Sequence, residues 1–191
     1  MKKGFTLIEL LVVIAILAVL MSVVVVTINP AEMLKKTRDT KRISDLDALR
    51  TALNLYVTDV GNLTGITTNT CYLYVATGNT FSGTVPGCST WATSTSQSST
   101  GGGWIPLSFA SISSGSPLAA LPIDPKLTYT GGTDVGGWHA YIFKGSTSTV
   151  TFKLMANMES AYYSGTSSNS VENTDGGTSP EVYEVGSDLN L

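Results

Sequence analysis

MKKGFTLIELLVVIAILAVL, Met1–Leu20, decides the architecture. Two lysines and a glycine precede an apolar run, and one carboxylate, Glu9, interrupts it. From Leu10 to Ile28 the chain continues LLVVIAILAVLMSVVVVTI, in which only Ser22 and Thr27 are polar. At the α-helical rise this run covers roughly 28 Å, close to the hydrocarbon thickness of a bilayer. It therefore reads as a membrane-spanning helix. It is too long for the apolar region of a cleaved secretory signal, and no small-x-small site precedes Asn29. An ionisable group in such a segment is costly unless it is paired, so Glu9 calls for a partner. Its own helix carries no cation, so the expected partner is a positive charge on another molecule.

Lys2, Lys3, Gly4, Phe5, Thr6, Leu7, Ile8 and Glu9, followed by an apolar span, resemble the class III signal of type IV pilins and type II secretion pseudopilins. The resemblance implies cleavage between Gly4 and Phe5 by a prepilin peptidase, methylation of the new Phe5 amine, and Glu9 as the fifth mature residue. It also implies that Glu9 meets the N-terminal amine of a neighbouring subunit in a helical homopolymer. Further implied partners are an inner-membrane assembly platform and minor pilins. Until assembly the chain would sit once across the cytoplasmic membrane with its C-terminal domain outside. It would then pass into an extracellular pilus or a periplasmic pseudopilus.

Asn29, Pro30 and Glu32 form a helix-start signature, so either a second helix begins there or one long helix kinks at Pro30. Ile43, Leu46, Leu49, Leu53, Tyr56 and Val60 then recur at threes and fours among charged residues, predicting an amphipathic helix that ends at Gly61. The stretch KKTRDTKR, residues 35–42, is the one positive patch and reads as a solvated helix face in preference to the alternative, a DNA or lipid site. Its five cations outnumber Lys2 and Lys3, which by the positive-inside count would keep the domain in the cytoplasm. Peptidase cleavage at Gly4, the cysteine pair and the Ser/Thr-rich composition argue the other way.

The formal charge of −3 conceals an asymmetry, since eight of eleven basic residues precede residue 51. Beyond residue 61 three lysines face eight acidic residues. That balance excludes a nucleic-acid surface on the domain, which would need clustered cations. Cys71 and Cys88 are too few for a zinc site. Outside the cytoplasm they are expected to form a disulfide; the competing reading is two free thiols.

Residues 61–120 are poor in charge and rich in Ser, Thr and Gly, as in TSTSQSSTGGG at 93–103, and predict a long exposed connection. Trp138–Gly145 and Thr149–Ala156 predict an antiparallel hairpin, with a shorter strand at Leu127–Thr130 before it and a returning strand at Glu181–Val185 after it. LPIDP, Leu121–Pro125, reads as a turn and also resembles the LP-x-DP element of the major pseudopilin.

The expected fold is α+β: a long N-terminal helix, its first half membrane-spanning and its second amphipathic, packed on a small antiparallel sheet. The expected divisions are a leader at 1–4, the spanning and filament-core helix at 5–28, the amphipathic helix at 29–60, the αβ loop at 61–126, and the sheet with its C-terminal loop at 127–191.

Catalysis lacks its residues. His139 is the only histidine, and no nucleophile elbow, Walker loop, dinucleotide fingerprint or zincin motif is present. A structural protein is therefore expected, not an enzyme. The alternative is a membrane-tethered, exported binding module that does not polymerise. No cofactor is expected, save that the major pseudopilin holds calcium in its C-terminal region. Glu172, Asp175, Glu181 and Asp188 offer oxygen ligands here, with Asp175 and Asp188 as the test pair, although their spacing matches no EF-hand.

Overall fold

The computed structural model describes residues 4–129 and 137–191. Most of the expected leader, Met1–Lys3, lies outside the described residues, as does Thr130 at the end of the expected strand 127–130.

Helix α1 spans Leu7–Ile28 and α2 spans Pro30–Val60. Asn29 separates them with a left-handed backbone, φ 45°, and its side chain accepts the Glu32 N–H, so the chain makes two helices where one kinked helix was the alternative. Gly61, φ 72°, ends α2 by donating its N–H to Val57 O, and a residue without Cβ suits that conformation.

Among the described residues five short strands follow: β1 Thr70–Tyr74, β2 Thr90–Ser94, β3 Ile142–Ser146, β4 Thr151–Ala156 and β5 Tyr183–Gly186. Their order across the sheet is β2-β1-β3-β4-β5, antiparallel except for the β1–β2 pair. The hairpin β3–β4 pairs Phe143 with Leu154 and Ile142 with Met155. Strand β3 begins at Ile142, later than the expected Trp138, and residues 127–129 contribute one bridge, Thr128 to His139, and no sheet strand.

Strand alternation builds two apolar layers. Toward α2, Tyr72, Phe143, Phe152, Leu154 and Val185 pack with Leu46, Leu49, Leu53 and Tyr56. On the opposite face Cys71, Leu73, Ile142 and Met155 pack with Trp138 and Val182. Helix α2 thus buries the stripe its periodicity announced, while Ile43 and Val60 at its ends are half-buried.

Residues 61–126 depart from expectation. They supply two of the five strands, and Trp104, Ile105, Leu107, Phe109 and Leu121 lie in the α2-side core. The hydroxyls that read as linker chemistry instead close tight turns: Ser94, Ser96 and Ser98 each accept the amide two residues on. The folded-back tract is then tied down by Trp104 N–H to Ser96 O and Leu121 N–H to Gln97 O. Cys71 and Cys88 form the expected disulfide, which fastens the β1–β2 connection to the sheet.

Candidate functional site

The site begins at the N-terminus of α1. Thr6 is the N-cap, and Glu9 stands three residues on, so the pair forms a capping box. Glu9 Oε2 accepts the Thr6 N–H at 2.9 Å and the Thr6 hydroxyl at 2.7 Å, while the Glu9 N–H donates to Thr6 Oγ1 at 3.3 Å. Glu9 thus has neutral partners at the start of its own helix that the search for a cation passed over: T-L-I-E is itself a capping-box signature. Both donors are neutral and both use one oxygen. Oε1 takes no hydrogen bond from a described residue, and the carboxylate has no described cation within ion-pairing distance.

Around Glu9 the helix is bare. Phe5 is 82% exposed, and no part of Leu7–Val25 is buried against the rest of the chain. The head domain, meanwhile, closes both of its apolar layers without α1. The sequence thus builds a finished domain and attaches to it a long apolar helix with one carboxylate near its tip.

A second constellation fixes the head to α2. Arg42, fully buried, grips Asp124 of LPIDP through two bonds, Nε to Oδ2 at 2.6 Å and Nη2 to Oδ1 at 2.8 Å. Its remaining nitrogen Nη1 reaches Asp39 at 2.7 Å, and Nη2 also reaches Glu159 at 2.6 Å. Glu159 further binds Arg38 through both oxygens and Lys126 at 3.1 Å. Asp39 accepts the N–H groups of Glu159 and Ser160. Three cations, Arg38, Arg42 and Lys126, meet three carboxylates, Asp39, Asp124 and Glu159, so the cluster is neutral.

Burial opposes the Glu159 carboxylate, but hydrogen bonds from Arg38 and Arg42 overcome it and hold its pKa well below the usual range. Burial likewise opposes the Arg42 charge, and the bonds to Asp124 and Glu159 more than restore it. His139 beside the cluster is buried, and burial together with the charges of Arg42 and Lys126 pushes its pKa down to about 4.

The cluster overturns the reading of residues 35–42 as a solvated face. Arg42 and Asp39 are interior, and Arg38 is bound to Glu159. The physical reason is valence: the buried carboxylates of the LPIDP turn and of the loop after β4 need a cation, and the bidentate fork of Arg42 matches them. Asp124 also accepts the Lys126 N–H, so the turn role expected of LPIDP holds alongside the anchoring one.

The tail carboxylates are not gathered for calcium. Asp175 accepts the N–H groups of Gly177 and Glu184, Glu172 those of Met158 and Gly165, and Asp188 that of Asn190. Glu184 is paired with the buried ammonium of Lys153 at 2.9 Å. Among the described residues no three acidic, His or Cys side chains converge as a metal site requires. An ion wanting six or more oxygens does not fit an arrangement in which backbone amides already hold Asp175 and Asp188.

Residues 1–25 match the family model of the prokaryotic N-terminal methylation motif. The N-terminus is a type IV pilin-like prepilin signal. The chain is therefore a substrate of the prepilin-peptidase type, with Gly4 and Phe5 flanking the cut that the resemblance implies. With the apolar α1, the motif indicates membrane anchoring and an exported C-terminal domain. No curated protein and no solved structure matches the chain.

Proposed function

We propose that this protein is a structural subunit of a type IV filament, polymerised through α1, and not an enzyme. The observation that carries the reading is the contrast at the site: a head whose core is complete, and a processed-type helix whose apolar side chains from Leu7 to Val25 are buried against no described residue. A fully buried Leu, Val or Ile is favoured by about 1.5–3 kcal/mol over an exposed one, so so many side chains need lipid before assembly and neighbouring α1 helices after it. Glu9 supports the same reading. Thr6 occupies one carboxylate oxygen and leaves the other to accept from the Phe5 amine of a second copy, which would supply the missing cation.

Identical subunits, prepilin peptidase, an assembly platform and minor pilins are the partners of this reading. The locations are the inner membrane first, then a surface pilus or a periplasmic pseudopilus. LPIDP supports the pseudopilus. A long exposed Ser/Thr-rich loop would favour a surface fibre, but the tract is folded onto the core and gives that reading no support.

Glu9→Ala tests the proposal. The variant is expected to reach the membrane at wild-type level, since removing a charge does not weaken insertion, and to lose filaments from the sheared fraction. Unchanged filament yield would reject the Glu9 pairing. A wild-type chain that forms no filament in a host with its assembly machinery would favour the tethered binding module.

A further inference from the structure

Five basic residues follow the span, and three are already matched within the head: Arg38 by Glu159, Lys41 by Asp45, and Arg42 by the buried cluster. Lys36 has no carboxylate partner among the described residues, and Lys35 makes the longest of the ion pairs, 3.5 Å to Glu32 one turn away, with its side chain 43% exposed. Lys36 lies over the Tyr162 ring, 4.4 Å from its centroid. Tyr162 is itself exposed and edge-on to Tyr163, and Met33 and Leu34 are exposed beside the lysines along α2. The loop carrying the tyrosines is fastened here, because Glu32 accepts the Ala161 N–H and Arg38 holds Glu159. One corner of the head therefore joins two cations that no buried carboxylate holds, an amphipathic aromatic and two apolar side chains.

Its position is set by the anchor. Helix α1 has 22 residues, a length of about 33 Å, so Ile28 stands at the hydrocarbon boundary. Met33–Lys36 follow five to eight residues later, roughly 8–12 Å along a helix, which is the outer headgroup layer and within about one Debye length of it. The chain beyond residue 61 has eight acidic residues against three lysines, so a negative surface repels the rest of the head and attracts this corner.

We propose that this corner rests on the membrane that holds α1 and binds anionic phospholipid headgroups. Lys35 and Lys36 meet the phosphates, and Tyr162 takes the interfacial place that tyrosines favour. The inference rests on the membrane-anchored reading of α1.

The test uses the full chain reconstituted in phosphatidylcholine vesicles, with trace spin-labelled phosphatidylglycerol or spin-labelled phosphatidylcholine as the probe. The wild-type chain is expected to retain the anionic label preferentially. Each of Lys35→Gln and Lys36→Gln is expected to lower that preference by up to about 5-fold, and added salt to weaken it. Equal association of the two labels with the wild type overturns the proposal. So does a preference that survives the double substitution, which would place the lipid contact at Lys2 and Lys3. Failure of the chain to float with the vesicles would instead refute the anchor reading.

Discussion

Arg42→Met removes the one cation that touches all three carboxylates of the buried cluster while keeping the length and apolar stem of the side chain. Glu159 retains Arg38 and Lys126, and Asp39 retains two backbone amides. Asp124 fares worst: it is 1% exposed and keeps only the Lys126 N–H. The neutral cluster becomes one charge negative in the interior. Breaking a buried ion pair from one side costs about 3–5 kcal/mol, a third or more of an ordinary domain's stability. At about 2–4 °C per kcal/mol for a chain of this size, the melting temperature should fall by roughly 6–20 °C. Thermal unfolding of the full chain in detergent micelles, followed by near-ultraviolet circular dichroism of the buried Trp104 and Trp138, reads this directly. Lys41→Met is the control, because Lys41 is 55% exposed in its pair with Asp45 and such pairs contribute less than about 1 kcal/mol. Adding Asp124→Asn to Arg42→Met should recover part of the loss, since the stranded charge is then gone. If Arg42→Met melts no lower than Lys41→Met, the cluster does not hold the head to α2 and the reasoning is wrong.

Other outcomes follow from the same chemistry. His139 titrates near 4 in the folded chain against an ordinary value near 6.5, so on acidification the unfolded chain takes up its proton first. Stability is therefore full above about pH 6.5 and declines as the pH falls toward 4, by up to about 3 kcal/mol, and His139→Gln should flatten that slope in denaturant titrations across the window. Glu159, held low, extends the loss below about pH 4.5, whereas Glu172 and Asp175, raised chiefly by burial, act in the opposite sense as they protonate. Cys71→Ser with Cys88→Ser releases a loop with a sequence separation of 17 and should cost about 3 kcal/mol, seen as an earlier denaturant midpoint; an unchanged midpoint would mean the β1–β2 connection is held by packing alone.

What the sequence disclosed and what it concealed divide along contact distance. The α1 span, the α2 stripe from Leu46 to Tyr56 and the β3–β4 hairpin all follow from local periodicity, and each was read correctly. So was the Gly4–Glu9 signal, a contiguous motif. The buried role of Arg42 was hidden because its partners Asp124 and Glu159 lie 82 and 117 residues away, and no local pattern separates a buried arginine from its exposed neighbours in KKTRDTKR. The segment 61–126 misled through composition: Ser and Gly suggested a linker, while WIPLSF at 104–109 carried the core signal in the same stretch. For the tail acids, clustering in sequence suggested a shared ion, but Glu172, Asp175 and Asp188 accept backbone amides, a cheaper way to satisfy charge in a loop.

The central claim, a processed subunit that leaves the membrane for a filament, is tested most directly at the new N-terminus. Peptide mass spectrometry of the native protein should find chains beginning at N-methylated Phe5 in the fraction sheared from cells or released as filaments. Chains that begin at Met1 and remain wholly in the membrane fraction would contradict it.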